Sequence, residues 1–261
     1  ASFGDMMRVP GSREDLLQVK ANGADIRMLY SPLDAVSLAA GHPDKKVIFF
    51  AIGFETTAPV HMMALKEAVR RKLENFYLLT SLFTVPPAIE AILSDPESRV
   101  DGFLTAGHVC AITGNEAYHL LAKKYKTPMV VTGFEPADLL LGIYRCLLQL
   151  EAGIYKVENA YKRAVPEEGN PAARALMDET LELCDQEWRG IGVIPQSGLQ
   201  LKEIFARQDA LHLLPVPEAV SNAEDESAYQ VRPDKKPSSM GRGRCIAGDI
   251  MRGTKQTKDC P

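Results

Sequence analysis

The sequence predicts an α/β protein built from βαβ units with a mostly parallel sheet. Three observations carry that reading. Short apolar runs of about five residues alternate with helical patterns of about 8–15 residues. Two of those runs end at the same tripeptide, Gly53-Phe54-Glu55 and Gly133-Phe134-Glu135. Each tripeptide is followed by a helical pattern, as in a strand that delivers a loop and then a crossover helix.

The elements follow in order. Residues 2–13 hold Gly4, Pro10 and Gly11 and read as a loop. Ser12 can cap a helix from about Arg13 to Asn22, which Gly23 ends. Ile26–Tyr30 reads as a short strand, and Ser31-Pro32 as the cap and first residue of a helix to Ala40. Val47–Ile52 is β-branched and aromatic, bounded by Lys45-Lys46 and Gly53, and reads as a buried strand. A helix over about 59–73, a strand at 76–80 and a helix over 86–94 come next. Gly102–Ala106 is a strand that delivers Gly107-His108-Val109, and a further helix lies within 113–125. Strand 129–132 runs into the second Gly-Phe-Glu and a helix over about 137–151. Residues 157–163 and 171–184 read as polar helical stretches, and Gly190–Pro195 as a last short strand. From Pro215 to Lys236 the chain turns to Pro, Glu, Asp, Ser and Asn, which reads as a linker or exposed loop. A small cysteine-bearing segment follows it.

Composition narrows the function classes. Of 261 residues, 46% are hydrophobic and 25% charged, and the net charge is -4, so nothing marks a nucleic-acid footprint. No apolar run approaches the roughly 20 residues that cross a bilayer, and no secretory signal pattern opens the chain. Five scattered cysteines, at 110, 146, 184, 245 and 260, suit a reducing cytoplasm better than a disulfide framework. Both ends read as cuts within a longer chain. There is no phosphate-binding glycine fingerprint: Gly190-Ile191-Gly192 lacks a third glycine and a helix.

The candidate site residues lie at strand ends. Asp5, Glu55, His108 and Glu135 each sit at the carboxyl end of a predicted strand or just after it, where open α/β sheets form their ligand crevice. Carboxylates with an imidazole could move protons or hold a metal. The same glutamates also suit the first turn of a helix, with Thr56 and Thr57 as caps. Gly107 suggests a backbone that approaches something closely. Cys110 stands two residues after His108, on the same face if the chain is extended there, yet its apolar neighbours suit a buried thiol. Cys146 and Cys184 fall in helical apolar patterns. Cys245 and Cys260 lie in a segment rich in Gly, Arg and Lys, but two thiolates are too few for a closed zinc or iron–sulfur site. Arg8, Arg13, Arg242, Arg244 and Arg252 are solvated charge or, for Arg8 beside Asp5, part of an anion site.

Longer motifs carry a resemblance. Phe3-Gly4-Asp5-Met6-Met7-Arg8-Val9-Pro10-Gly11-Ser12, Tyr30-Ser31-Pro32-Leu33-Asp34-Ala35, Phe49–Pro59, Gly107-His108-Val109, Val131–Pro136, Glu187-Trp188-Arg189-Gly190 and Gly248–Gly253 occur in that order. Together they resemble the hydrogenase maturation family HypD over nearly the whole chain. The resemblance implies a cytoplasmic iron–sulfur scaffold on which, with HypC, the Fe(CN)2CO unit of [NiFe] hydrogenase is assembled. Cyanide would come from HypE, itself supplied by HypF. It implies a redox role in cofactor assembly, and two α/β domains facing a cleft, with a third domain bearing a [4Fe-4S] cluster. By the same resemblance Asp5, Glu55, Thr56 and His108 line the cleft, and Cys245 and Cys260 are metal-binding residues of the cluster region. The chain then divides into 1–45, the remainder of the first domain; 46–214, the second domain with returning helices; 215–236, the linker; and 237–261, the start of the iron–sulfur module. Three departures stand out. The family's upstream Cys-Gly and Cys-x-x-Cys motifs precede Ala1, Ala247 replaces a cysteine of Cys-x-Cys-Gly, and Cys110 stands where a serine is common. Without the resemblance, the competing readings are a small-molecule enzyme using Glu55, His108 and Glu135 for acid–base work, or a module that only docks another protein.

Overall fold

Val47–Gly53 (β1) and Phe76–Phe83 (β2) pair in parallel, with Phe49 opposite Leu78. Both are short and rich in β-branched and aromatic residues, which suits strands covered on two faces. The computed structural model describes residues 1–11, 14–213 and 245–260. Expectations for Ser12 and Arg13, for the linker at 215–236, and for Arg242 and Arg244 lie outside the described residues. The helix expected from Arg13 begins later, as Leu16–Ala21 (α1), and is capped by Asp15, whose carboxylate accepts from Gln18 N at 2.8 Å.

The first core lies between β1 and β2 and the helices Pro32–Gly41 (α2) and Ala58–Arg70 (α3). Phe49, Leu78, Met62, Leu65 and Ala35 are fully buried there. Residues 1–3 lie beside β1, with Phe50 N donating to Ala1 O at 2.9 Å and Leu29 N to Ser2 O at 2.9 Å. The strand expected at 26–30 is reduced to a single bridge, Ser2 with Met28. Because α2 and β1 share one core, the division expected at residue 45 runs through it.

Val85–Ser94 (α4) leads into a second, parallel sheet of Phe103–Ala106 (β3), Met129–Thr132 (β4) and Val157–Asn159 (β5), ordered β3-β4-β5. Its helices are Gly107–Thr113 (α5), Glu116–Tyr125 (α6) and Pro136–Glu151 (α7). Met129, Val131, Tyr118 and Cys110 form the second core with Ile89 of α4. Residues 157–159 are therefore strand, not helix.

Pro171–Thr180 (α8) stops four residues before the expected end. Leu181–Trp188 (β6) and Gly192–Leu201 (β7) then form an antiparallel hairpin that extends the first sheet in the order β1-β2-β7-β6. Cys184 therefore lies on a strand and is half-buried, whereas Cys146 is buried on α7 as expected. The fold is α/β as predicted, with one antiparallel addition.

The last described segment contains Ala247–Met251 (α9). It is tied to the end of α4: Arg99 N donates to Arg252 O at 2.8 Å, and Arg252 pairs with Asp95 at 2.7 Å and with Asp249 at 2.7 Å. Arg252 is thus a structural tie and not solvated charge.

Candidate functional site at the strand ends

The first Gly-Phe-Glu turn is fixed by its neighbours. Gly53 has φ +140, a region closed to most side chains, and a Cβ there would run into Thr57. Thr57 Oγ1 donates toward Phe54 O at 3.1 Å or Ile52 O at 3.3 Å. His61 is fully buried, and its Nε2 lies 3.2 Å from Ile52 O, which makes that nitrogen the protonated one. Burial lowers its pKa, with the Ile52 carbonyl acting the other way. Phe54 joins Phe83 and Trp188 in an aromatic cluster, with ring centroids 5.0 to 6.1 Å apart, and Trp188 Nε1 donates to Ser197 Oγ at 2.8 Å.

Glu55 is consequently turned inward. It is 3% exposed, and its Oε1 accepts from Val85 N, the first residue of α4, at 2.9 Å. Its Oε2 has no hydrogen-bond partner among the described residues. Burial raises its pKa to about 7, and the Val85 N–H pulls the other way. Its charge is felt by Cys110 and Tyr118 of the second core. Glu55 therefore stands at the seam between the two sheets. Thr56 is half-buried in the same turn. Asp5 lies on the exposed surface at the start of a 3-10 turn, Asp5–Arg8, and accepts from Met6 N at 3.0 Å. Its strand segment runs parallel to β1, so it too emerges at the carboxyl end of the first sheet. Arg8 is exposed and, among the described residues, forms no ion pair with Asp5.

The second sheet delivers His108 and Glu135. The chain at His108 is helical, not extended, so His108 and Cys110 point apart. His108 is exposed and packs against Phe134, with ring centroids 4.9 Å apart. Partial burial lowers its pKa. Cys110 is fully buried, and burial pushes its thiol up to about 11. Thr105 and Tyr118 stand beside it, and their hydroxyls find no well-formed partner among the described residues. A thiolate–imidazole pair is therefore not formed, and Cys110 is a core thiol.

Glu135 meets Arg163 at 3.2 Å, and Arg163 also forks onto buried Asp138 at 2.7 Å through both nitrogens. That fork holds the Asp138 carboxyl below its usual range. Arg163 also lies over the Tyr161 ring, 4.5 Å from its centroid. Tyr161 explains both strand-end glycines of this sheet: a Cβ on Gly107 or on Gly133 would come within 2.8 Å of its ring. Tyr161 and Arg163 were not singled out from sequence, because nothing local marks them. Only the fold brings residues 107, 133 and 161 together.

Cys245 is half-buried just before α9, Cys260 is exposed, and both are free thiols. Among the described residues, no three His, Cys, Asp or Glu side chains come together as a metal-holding group. Two thiols supply half the ligands of a [4Fe-4S] cluster, so this chain's described residues do not fit a complete one. No described helix is long and apolar enough to cross a membrane.

A buried carboxylate, an imidazole and hydroxyls at the carboxyl ends of two sheets define an α/β protein whose polar groups gather at its strand ends. Comparison with known proteins narrows the class. A family profile described as "HypD: Hydrogenase formation hypA family" matches residues 1–261. The chain is 45% identical over 260 residues to "Hydrogenase maturation factor HypD" of Rhodobacter capsulatus, covering 99% of this chain and 65% of the relative. It is 40% identical over 262 residues to the protein of that name in Escherichia coli (strain K12), covering 100% and 65%. It is also 40% identical over 266 residues to that of Azotobacter vinelandii, covering 99% and 65%. The chain belongs to the HypD family and spans about 65% of the length of these relatives.

Proposed function

We propose that the chain is part of a [NiFe] hydrogenase maturation scaffold on which the Fe(CN)2CO unit is assembled with a HypC-like chaperone and a HypE-like cyanide donor. The observation that carries this reading is the match of the full chain to relatives named as hydrogenase maturation factors. The geometry is compatible with it. Groups able to hydrogen-bond a cyanide nitrogen, namely His108 and Thr56, stand at or near the strand ends of the two sheets. The iron here is cargo, and its thiolate ligands are sought in the parent's further segments, because Cys110 is sealed in a core. Cys245 and Cys260 are proposed as two of the ligands of a [4Fe-4S] cluster whose other ligands lie elsewhere in the parent. The acid–base enzyme reading loses support, because Glu135 is held by Arg163 and Glu55 is buried.

The test uses the full-length parent, produced with both partners and isolated without oxygen. Infrared spectroscopy should show C≡N and C≡O stretching bands of iron-bound ligands, weakened in His108→Ala. A protein that restores hydrogenase activity to a deletion strain yet never carries those bands would overturn the scaffold reading. Cys260→Ser should diminish the visible iron–sulfur absorption after anaerobic reconstitution, and an unchanged band removes Cys260 from the ligand set.

A further inference from the structure

The turn after β5 reaches across two strand ends of the second sheet. Asn159 shapes it: its Oδ1 accepts from Tyr161 N at 2.9 Å, and its Nδ2 donates to Val165 O at 2.9 Å. Ala160 N donates to Val131 O at 3.0 Å, which ties the start of the turn to β4. Tyr161 is thereby laid over the exits of β3 and β4 at once. A Cβ on Gly107 would stand 2.8 Å from its ring at Cδ1, and a Cβ on Gly133 would stand 2.8 Å from it at Cε2. These are opposite atoms of the ring, so the ring spans the gap between the two glycines. The next residues in the chain are His108 and Phe134, whose own rings pack together with centroids 4.9 Å apart. Among the described residues no hydrogen bond or ion pair holds the His108 ring. The place of the imidazole therefore depends on the spacing of these two backbone exits.

The Tyr161 ring is braced in turn. The Arg163 guanidinium lies over it, 4.5 Å from its centroid. Arg163 is itself fixed by its fork onto Asp138, at 2.7 Å through each terminal nitrogen. Asp138 is buried in the first turn of α7, and its carbonyl accepts from Thr132 Oγ1, at the end of β4, at 2.8 Å. The brace thus closes back on the strand whose exit Tyr161 covers. Glu135 adds a longer contact to Arg163 at 3.2 Å. With two carboxylates on one guanidinium, Arg163 is a brace and not an anion site.

We propose that Tyr161, braced by Arg163, is a positioning residue for His108: its ring sets the spacing of the β3 and β4 exits and so holds the imidazole against Phe134, ready to meet a ligand at the strand ends. This rests on the reading of His108 as a group that hydrogen-bonds iron-bound cyanide. The experiment uses the full-length parent, kept without oxygen. The His108 titration is followed by proton NMR of the ring before the iron unit is loaded, and the C≡N bands by infrared spectroscopy after loading. Tyr161→Leu keeps apolar bulk but loses the flat ring. Its His108 midpoint should rise toward the ordinary value of about 6.5, and its C≡N bands should change in the direction seen in His108→Ala. Tyr161→Phe keeps the ring and should leave both readings as in the wild type. Arg163→Lys keeps the charge but can neither fork nor stack as a plane, so its midpoint should move the same way by a smaller step that reports position and not field. A wild-type midpoint in Tyr161→Leu, whatever its melting temperature, makes Tyr161 a packing residue and overturns the proposal. A midpoint that moves as far in Tyr161→Phe as in Tyr161→Leu assigns the effect to the hydroxyl and overturns it likewise. Should Tyr161→Leu fail to fold, an unmoved midpoint in Arg163→Lys overturns it. Bands unchanged by His108→Ala overturn the cyanide role on which the proposal rests, and the midpoint tells that failure apart from a failure of the wedge, because it moves in Tyr161→Leu only if the ring holds His108.

Discussion

At the scale of single residues, exposure separates two groups that sit two positions apart in the chain. His108 and Cys110 share the segment Gly107–Thr113, but the helical turn sends one to solvent and the other into the second core. His108 keeps its imidazole against Phe134, which removes water from one face of the ring and favours the neutral form. A neutral ring offers one donor and one acceptor nitrogen, the form suited to hydrogen bonding a polar ligand. Phe134→Ala returns water to that face. The His108 titration, followed by proton NMR of the ring, should then rise toward the ordinary histidine value of about 6.5. A midpoint that does not move would show that Phe134 does not set the imidazole's environment.

At the scale of elements, the strand-end glycines are what allow the second sheet to carry a site. Gly107 begins α5 where β3 ends, and its Cα faces the backbone of β4: an added Cβ would stand 2.5 Å from Thr132 O and 2.8 Å from the Tyr161 ring. A carbonyl inside a paired strand cannot step aside without breaking the β3–β4 ladder. Gly107→Ala should therefore cost about 2 kcal/mol in chemical denaturation, the scale of an overpacked core, and should shift the His108 signals even though the imidazole itself is untouched. A stability change under about 0.5 kcal/mol would mean that the close approach relaxes freely. The sequence made this glycine legible, because a strand ending at Gly-His before a helical pattern requires a tight exit. The same local grammar exposed β1 to β4 and the helices α2, α3, α4, α6 and α7. It misplaced β5 and β6 for a physical reason. Val157–Asn159 is only three residues long, and the hydrophobic pattern of 171–184 stays helix-like to Thr180 before the period changes to two. It could not find Tyr161 or Arg163, whose importance arises only from packing against residues 25 (Asp138 to Arg163) to 54 (Gly107 to Tyr161) positions away. It placed Glu55 at a strand end but not its bond to α4, because nothing local shows that Val85 begins a helix beside it.

At the scale of the whole molecule, Glu55 is the polar tie between the two sheets. One oxygen holds the first N–H of α4, and the other has no partner among buried neighbours. An ionised carboxylate there keeps the Val85 hydrogen bond but is poorly solvated, so burial wins and the carboxyl titrates at about 7 instead of 4.5. The sign of the pH dependence follows. Between pH 4.5 and 7 the folded protein holds a proton that the unfolded chain has released, so stability falls as pH rises through that window and is level, on account of this group, above it. A shift of that size corresponds to about 3 kcal/mol, an upper figure because the seam can admit water once the group ionises. Glu55→Gln keeps an oxygen for Val85 N and supplies a permanent donor where the proton stood. The variant should therefore match the wild type at pH 5 and exceed it at pH 8 by about 2 kcal/mol, read from denaturant midpoints at each pH. Equal stabilities of the two proteins at pH 8 would place the Glu55 carboxyl in water, and the seam would then be open where the structure shows it closed. Hydrogen exchange of the α4 amides separates local from global opening: in the wild type, exchange corrected for its intrinsic pH dependence should quicken from pH 5 to pH 8 at Val85 more than in α6, because ionisation of Glu55 strains the contact between the sheets before it unfolds either one.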